Sequence, residues 1–464
     1  MDTPVTVLIL AAGLGARMKS KKAKVLHHAG GRALVDHVVG TALALAPPER
    51  ILVVTGHQSG HVRTALDGRG VRFVVQPEQR GTADAVGSCR EAAGSLSGLT
   101  VVLYGDCPLV RPETLRKLVD AQCRSSAAAT LLSTRLEDPT GYGRIIRNEA
   151  GALEGIVEEK AASPQQREIR EINPGLYCFR SELLWKHIGE ILPDNPAGEY
   201  YLTDMVAVLR RAGHTVDALF HEDSRELLGI NTRIELAEAD RLLRERILRR
   251  LMLDGVTIGK PETVLIDPEV RIGRDTVIEP FAQILGHSVI GEDCHIGAGS
   301  IIQDSELGDR AVVAPFTLVA SSRLEEDAHA GPFARLRMDS HVAAGARVGN
   351  FVELKKSRLG RGSKAQHLAY LGDASIGGGA NIGAGTITCN YDGRQKHKTT
   401  IGEGAFIGSN ATLVAPVEIG DGSYVGAGSV ITDAVPEDAL ALGRGRQVNK
   451  PGWAKKRRSE RSEG

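Results

Sequence analysis

The chain has 464 residues, enough for two or three ordinary domains, and 42% of them are hydrophobic. Only 4% are aromatic whereas 54 are glycine, a composition that suits a narrow coil with tight corners better than a large sandwich. Lysine plus arginine and aspartate plus glutamate number 57 each, so the bulk charge gives no electrostatic reason to expect nucleic acid or a membrane as a partner.

Cysteine usage and hydropathy indicate the compartment. The six cysteines are scattered and form no CxxC pair, which argues against a zinc site or a thioredoxin-like motif. No apolar stretch approaches the roughly 18 residues of a membrane span, and the first residues do not resemble a signal peptide. We therefore expect a cytoplasmic protein without membrane insertion.

The first half of the chain alternates β-branched runs with helical stretches. The runs cover residues 5–10, 51–54, 71–75 and 101–104, and helical patterns include 33–45 and 112–122. This alternation predicts an α/β domain over residues 1–233, with a Rossmann-like, mostly parallel sheet and helices on both faces.

A glycine-rich turn follows the first predicted strand. Gly13 and Gly15 leave backbone N–H groups free to face an anion, and Arg17 and Lys24 add cationic donors, an arrangement that cradles phosphate. It is not a Walker loop, because no Gly-Lys-Ser/Thr follows, and Met18 stands where the Rossmann fingerprint has its third glycine. On these residues alone, an ordinary tight turn stays an alternative.

Two further polar groups follow predicted strands. Asp106 comes after the run 101–104, where open α/β sheets bind ligands, and a carboxylate there suits Mg²⁺. Its alternative role is a helix cap before Pro108. A second turn offers amides for a nucleotide base edge, or is simply a turn; it contains Gln76, Gln79, Gly81 and Thr82.

The second half of the chain carries a strict repeat. Residues 232–253 predict one amphipathic helix, of which we assign 234–254 as a linker. Isoleucine then occupies every sixth position at Ile272, Ile278, Ile284, Ile290, Ile296 and Ile302. A six-residue period fits neither an α-helix nor a simple strand, and it predicts a parallel β-helix of hexapeptide repeats over 255–450.

The repeat slips near residues 270 and 305, at 355–375 and at 388–400. Such slips predict loops that leave the coil, and loops on a rigid scaffold carry function disproportionately. The slip at 388–400 is the most polar. The tail 451–464 is basic and is predicted to be disordered; a solvated end is favoured over contact with an acidic surface.

The slipped segments hold candidates for acyl transfer. A lone histidine such as His367 is more often structural, yet transfer of an acyl group to an amine needs a base near neutral pH, and Glu353 is placed to orient the ring. The cations Arg337, Lys355 and Lys396 suit a sugar phosphate, or are ordinary surface charges. Asn390 and Tyr391 in the polar loop are candidates to seat an amino sugar.

Eight motifs occur in an order that resembles one family. They include the glycine-rich turn Leu-Ala-Ala-Gly-x-Gly-x-Arg-Met, Lys-Val-Leu, Gln-x-Gly-Thr, Tyr-Gly-Asp, Gly-Tyr-Gly-Arg, Ile-Val-Glu-Glu-Lys, Glu-Ile-Asn and Glu-Tyr-Tyr-Leu-Thr-Asp. Together they resemble the sugar-1-phosphate nucleotidyltransferases, and specifically the bifunctional members that make UDP-N-acetylglucosamine. The resemblance covers residues 4–450.

This resemblance implies a uridylyltransferase in the first half, acting on UTP and N-acetylglucosamine 1-phosphate. Arg17 and Lys24 would supply catalytic charge, and Asp106 and Asn231 would coordinate Mg²⁺. The nucleotide would be held by Leu10, Ala11, Ala12, Gly13, Gln76, Gly81 and Thr82, with Tyr104 and Gly105 lining its site, and the sugar by Gly143, Glu158 and Asn173. This chain departs from the family at Ala16, Ala23, Asp84 and Cys107, and these departures bear on nucleotide affinity.

The resemblance also implies a left-handed coil that acetylates glucosamine 1-phosphate with acetyl-CoA, in a homotrimer with sites between subunits. His367 would be the base. Sugar phosphate would contact Arg337, Lys355, Tyr370, Asn381 and Lys396, and acetyl-CoA would contact Asn390, Tyr391, Ser409, Ala427 and Arg444. One alternative keeps only nucleotidyl transfer and makes the coil an assembly or regulatory module. A second is a non-enzymatic subunit like those of nucleotide exchange in translation initiation, against which the intact Arg17, Lys24 and Asp106 argue.

Overall fold

The computed structural model describes residues 3–195 and 197–462, which divide into two compact units at Arg244 and Glu245. The division falls inside the helix Arg233–Leu253, whose ends lie one residue from those of the assigned linker. Ala239, Leu242 and Leu243 of this helix are buried in unit 1, and Ile247, Leu248 and Leu251 are buried in the core of unit 2. The domain limits 1–233 and 255–450 stay a prediction.

Unit 1 is built on a ten-stranded mixed sheet. Nine strands follow one another across it in the order Arg72–Val75, Ile51–Thr55, Val5–Ala11, Leu99–Tyr104, Tyr177–Arg180, Ala129–Arg135, Glu171–Asn173, Gly143–Arg147 and Leu153–Val157, and Val216–Phe220 pairs with Ala129–Arg135. The first four run parallel, as predicted. From Tyr177–Arg180 onward the path is antiparallel, and the apolar runs of the sequence gave no sign of this half.

The strand Val5–Ala11 shows why helices cover both faces. All seven residues are buried, and successive side chains point to opposite faces of a strand. Val7 and Ile9 therefore join one core, whereas Leu8 and Leu10 join the other. The helices of the unit are Leu34–Leu43, Ser59–Ala65, Thr82–Gly87, Arg90–Ala93, Pro112–Arg124, Pro164–Arg167, Ser181–His187 and Met205–Arg211, with short 3₁₀ turns at Ala16–Met18, Lys24–Leu26, Pro48–Arg50, Ile188–Glu190, Leu202–Asp204 and Ser224–Leu227.

Unit 2 is the predicted left-handed parallel β-helix, in which successive strands pass to three sheets in turn. The first sheet holds Thr257–Ile258, Val277–Ile278, His295–Ile296, Val312–Val313, His329–Ala330, Arg347–Asn350, Lys364–His367, Asn381–Ile382, Phe406–Ile407, Tyr424–Val425 and Leu440–Ala441. The second holds Leu265–Ile266, Gln283–Leu285, Ile301–Gln303, Leu318–Ala320, Arg335–Arg337, Glu353–Lys355, Tyr370–Gly372, Ile387–Cys389, Thr412–Val414 and Val430–Ile431. The third holds Arg271–Ile272, Val289–Ile290, Glu306–Leu307, Arg323–Leu324, His341–Val342, Arg358–Leu359, Ala374–Ile376, Thr399–Ile401 and Val417–Ile419.

The six-residue period is the packing period of this coil. Ile278, Ile284, Ile290, Ile296 and Ile302 are fully or almost fully buried, and each stacks on a residue of the next coil. Ile272, in the first coil, is only partly buried against the same core. Three sides of about six residues make a turn of the coil, so Ile278 lies opposite Ile296.

Most phase slips do not release loops. Glu353 pairs with Tyr370 and Lys364 with Asn381, each 17 residues on, so the coil there is one residue shorter than the 18 that separate Ile278 from Ile296. The prediction of loops at 305 and 355–375 was therefore wrong. Asn381 pairs with Phe406, 25 residues on, which confirms a loop at 388–400.

The basic tail also differs from the prediction. Its residues Trp453–Ser462 form a helix rather than a disordered end, consistent with a run free of proline and glycine that is rich in lysine and arginine. The side chains described in it are exposed. Across the described parts of both units, no helix has the length and apolar character needed to cross a membrane.

Candidate active sites

The carboxyl ends of three parallel strands bring the first predicted site together. Val5–Ala11, Ile51–Thr55 and Leu99–Tyr104 are neighbours in the sheet. The Gly105 N–H donates to the Leu10 carbonyl at 2.9 Å, and the Gln76 N–H donates to the Thr55 carbonyl at 2.8 Å. The glycine-rich turn after Leu10, Ala11 and Ala12, the turn at Gln76 and the segment at Asp106 therefore lie along one edge, where open α/β sheets bind ligands.

Two cations and two oxygen ligands meet at this edge. The Lys24 ammonium contacts the Asp106 carboxylate and donates to Asn231 Oδ1 at 3.0 Å. Arg17 Nη2 donates to the same Asn231 oxygen at 2.9 Å. The backbone fixes this meeting, because the Ile230 N–H donates to the Asp106 carbonyl at 2.9 Å. The structure thus brings together all four residues that the resemblance assigned to charge neutralisation and metal binding.

The turn at Gln76 is more constrained than its composition suggested. The Gln76 side chain is buried, and its Nε2 donates to the Gly81 carbonyl at 3.2 Å and to Asp84 Oδ2 at 2.7 Å. Gly81 has φ +125°, and the backbone of Tyr200 fills the space that a Cβ would need, so only glycine fits there. The Thr82 hydroxyl accepts from the Leu202 N–H at 2.9 Å.

The predicted sugar residues also lie close together. Gly143 and Asn173 are register partners, and a Cβ at Gly143 would lie 3.6 Å from Glu158 Oε1. The Thr203 hydroxyl donates to Glu158 Oε1 at 2.9 Å. Burial raises the pKa of Glu158, and the Thr203 hydrogen bond opposes that rise by stabilising the carboxylate. A cavity of about 230 Å³ opens beside Glu158 and is lined in part by Lys160, Tyr201 and Asp204.

Tyr104 connects the nucleotide edge with the sugar residues. Its ring packs on Gly175, whose missing side chain leaves the space for it. Burial raises the pKa of Tyr104, and the nearby carboxylates of Glu158 and Asp106 raise it further. The phenol therefore stays neutral and lies between the two halves of the site.

In unit 2, His367 stands at one corner of the coil. Asn350 and His367 are register partners, and Asn350 Oδ1 faces His367 Nδ1 at 2.7 Å. With the amide oxygen as acceptor, Nδ1 carries the proton and Nε2 keeps a free lone pair. The ring is exposed, so that lone pair is open to a substrate.

The orienting role that we predicted for Glu353 is not found. The Glu353 carboxylate accepts from Arg337 Nε and Nη2, both at 2.7 Å, and Asn350 takes the place beside the histidine ring. Sequence reasoning missed Asn350, although the coil length offered a signal: it lies 17 residues before His367, the offset that stacks residues of adjacent coils.

A second group of polar side chains surrounds Gly372 and Asp373. Lys355 is buried, and its ammonium lies 3.7 Å from the Asp373 carboxylate, which also accepts from Asn390 Nδ2. The neighbouring Lys355 lowers the pKa of Lys396 through contact and charge repulsion. Tyr370 Oη lies 2.5 Å from the position that a Cβ of Gly372 would take. Lys355, Lys396, Tyr370 and Asn390 thus form one cluster, whereas Tyr391 is exposed and donates to the Gly393 carbonyl at 2.8 Å.

The predicted acetyl-CoA residues follow the corner that carries His367. The Leu368 N–H donates to the Asn350 carbonyl, and in later coils the Gly428 N–H donates in the same way to Ser409. Arg444 Nη1 donates to the Ala427 carbonyl at 2.7 Å. Asn381 is different: it lies in the first sheet, in register with Lys364 and Phe406, and no hydrogen bond joins its side chain to the Lys355 cluster within the described chain.

Comparisons with known proteins agree with both units. The profile of the MobA-like NTP transferase domain matches residues 7–172, and the bacterial transferase hexapeptide profile (six repeats) matches residues 269–304 and 398–433. A relative from Solibacter usitatus named Bifunctional protein GlmU is 59% identical, over 99% of this chain and 98% of its own length. The chain belongs to the GlmU family. A GlmU protein from Koribacter versatilis is 50% identical, over 98% of this chain and 97% of its own. One from Brevibacillus brevis is 46% identical, over 97% of each.

Membership in the GlmU family confirms the resemblance that the motifs indicated. The chain is a bifunctional enzyme, with a nucleotidyltransferase unit followed by a hexapeptide-repeat transferase unit. The alternative with a single activity and the non-enzymatic alternative both fail on this finding. Within residues 3–195 and 197–462, no three His, Cys, Asp or Glu side chains form a group suited to a metal ion.

Proposed function

We propose that this GlmU-family enzyme acetylates glucosamine 1-phosphate with acetyl-CoA and then transfers UMP from UTP to the product, releasing pyrophosphate. The observation that carries the proposal is that each unit gathers its own charged site. Arg17, Lys24, Asp106 and Asn231 meet in unit 1, and Lys355 and Lys396 meet in unit 2, where His367 lies at an open corner.

Uridylyl transfer follows from the charges of unit 1. A phosphate oxygen of N-acetylglucosamine 1-phosphate attacks the α-phosphorus of UTP, and the bond to the departing pyrophosphate breaks. Such a step needs alignment and charge neutralisation rather than a protein nucleophile. Arg17 and Lys24 supply positive charge, Gln76 and Gly81 hold the base, and Gly143, Glu158 and Asn173 hold the sugar.

Mg²⁺ fits the oxygen ligands at this edge. Lys24 contacts oxygens of both Asp106 and Asn231, so the two face one cation position. Mg²⁺ in nucleotide enzymes is held through one or two protein oxygens together with substrate phosphates. Asp106 and Asn231 would hold it, and the ion would supply neutralisation of phosphate charge.

Acetyl transfer follows from the arrangement in unit 2. Arg337, Lys355, Tyr370 and Lys396 bind the sugar phosphate, and His367 Nε2 takes a proton from the amino group. The freed amine attacks the thioester carbonyl, the carbon–sulfur bond breaks, and coenzyme A leaves. Asn350 holds the histidine in the tautomer that can accept this proton.

We further propose that the protein is a homotrimer with acetyl-transfer sites between subunits. Phe316, Phe333, Phe351 and Leu368 form an exposed apolar corner ladder; each is about half exposed, and Leu368 adjoins His367. The rings of Phe316 and Phe333, and of Phe333 and Phe351, stack at 5.4 and 5.3 Å between centroids. An exposed apolar ridge of this kind marks an interaction site, and further copies of the chain would cover it beside the catalytic histidine.

The test of the two reactions uses purified protein with defined substrates. With Mg²⁺, UTP and N-acetylglucosamine 1-phosphate we expect pyrophosphate and UDP-N-acetylglucosamine; with acetyl-CoA and glucosamine 1-phosphate we expect free coenzyme A. Release of pyrophosphate without any release of coenzyme A would reduce the proposal to a nucleotidyltransferase with a structural coil.

The trimer is tested by light scattering. The wild type should have three times the mass of the chain at micromolar concentration, and Phe333→Glu, which places a charge in the middle of the corner ladder, should lower that mass. A monomeric wild type would refute the trimer. We also place the enzyme in the cytoplasm; its six cysteines are all unpaired in the structure.

A further inference from the structure

One carboxylate fixes the orientation of the buried Gln76 amide. Asp84 lies in the first turn of the helix Thr82–Gly87, and its Oδ2 accepts from Gln76 Nε2 at 2.7 Å. The second Nε2 hydrogen goes to the Gly81 carbonyl at 3.2 Å. Both neighbours of Nε2 are acceptors only. A flipped amide would point Oε1 at two other oxygens, so the structure allows only one orientation.

Arg80 keeps the carboxylate in place from its other side. Arg80 Nη2 donates to Asp84 Oδ1 at 3.0 Å, and its guanidinium lies 5.7 Å from the centroid of the Tyr200 ring. The side chain of Asp84 is 16% exposed, so it is held between the solvent-facing arginine and the buried amide. A charge-assisted bond of this kind favours the ionised carboxylate, which can accept and cannot donate.

The consequence is a fixed, unused acceptor at the edge of the sheet. In the described chain, Gln76 Oε1 accepts no hydrogen bond, and it is not among the buried polar atoms that are closed off from solvent. Gln76 follows the strand Arg72–Val75, on the same edge as the glycine-rich turn. An acceptor held in this way can receive an N–H from a ligand and cannot offer one in return.

We propose that Asp84 is a positioning residue that makes Gln76 select bases with an imide N–H, such as uracil, over cytosine. The proposal rests on the function proposed above, in which a pyrimidine nucleoside triphosphate binds at this edge. Uracil presents N3–H, a donor, to the Gln76 oxygen. Cytosine presents at N3 a lone pair, which the same oxygen repels. An amide free to rotate would turn its NH₂ toward cytosine and lose this discrimination.

The test compares UTP with CTP as substrate for three variants. Asp84→Ala removes the acceptor beside Gln76, so the ratio of kcat/KM for UTP to that for CTP should fall by about tenfold or more. Asp84→Asn keeps an acceptor oxygen at that place and should stay within about threefold of the wild-type ratio. Asp223→Ala is the matched control, because it removes an aspartate–arginine pair elsewhere in unit 1; its ratio should equal that of the wild type.

The ratio separates a specific role from loss of folding, since an inactive fraction lowers both rates equally. An unchanged ratio in Asp84→Ala would overturn the inference, and so would an equal fall in Asp84→Asn. Failure of the proposed function is a different result: the wild type itself would then release no pyrophosphate from UTP, and no ratio would exist to compare.

Discussion

Replacing Gly349 by alanine tests how closely adjacent coils must stack beside His367. Gly349 is buried immediately before Asn350, and a Cβ there would lie 2.5 Å from the carbonyl carbon of Gln366 and 2.6 Å from its Cα. Those are backbone atoms of the next coil, so no rotamer change relieves the overlap. The two coils must separate at the point where Asn350 pairs with His367.

The structure sets the size of the effect. Overpacking a filled core costs about 1–3 kcal/mol, and the upper end applies because backbone must move. For a unit of about 200 residues each kcal/mol lowers Tm by about 2–4 °C, so we expect unit 2 to melt about 6–12 °C lower. Acetyl transfer should fall by about tenfold or more, since the shift lies between the histidine and its partner.

The assay follows both activities and thermal unfolding in the same preparations. Gly378→Ala is the control: its φ is ordinary, and a Cβ there would lie no closer than 3.4 Å to its nearest neighbour, the Arg361 carbonyl oxygen. It should keep the wild-type Tm and release of coenzyme A, and both variants should keep pyrophosphate release. If Gly349→Ala behaves like Gly378→Ala, the stacking argument is refuted.

Two further predictions concern ionisation and ring orientation. Because burial raises the pKa of Glu158, the KM for N-acetylglucosamine 1-phosphate should rise as the pH falls through a value above that of an ordinary glutamate, and Thr203→Val should move this limb to still higher pH; a limb that Thr203→Val leaves in place contradicts the assignment. Asn350→Ala should lower kcat for acetyl transfer by about tenfold with little change in KM, because the ring loses the bond that fixes its tautomer. An unchanged kcat in steady-state release of coenzyme A would remove Asn350 from the mechanism.

The sequence predicted the architecture where periodicity is strict. Isoleucine every sixth residue required three-sided coils, and the structure buries Ile278 and Ile296 as register partners. Parallel β-branched runs likewise predicted the half of the sheet that carries Asp106. The antiparallel half escaped notice because strands such as Glu171–Asn173 are three residues long and carry no alternation to read.

The site was predicted by residue identity but not by partner. His367 was found as a candidate base, yet its neighbour Asn350 was missed because the match depends on a coil that shortens to 17 residues in this region. Asp84 was noted only as a departure from the family, since its contact with Gln76 depends on how the turn closes on Tyr200. Side-chain partners across a turn or between coils follow from three-dimensional register, which a single sequence does not display.

The central claim is that two separate sites in one chain carry out the two transfers. The most direct measurement assays His367→Ala and Asp106→Asn for both reactions under identical conditions. The account predicts that His367→Ala loses release of coenzyme A and keeps pyrophosphate release at the wild-type rate, and that Asp106→Asn shows the opposite pattern. Release of coenzyme A at the wild-type rate by His367→Ala, or loss of both activities in either folded variant, would contradict it.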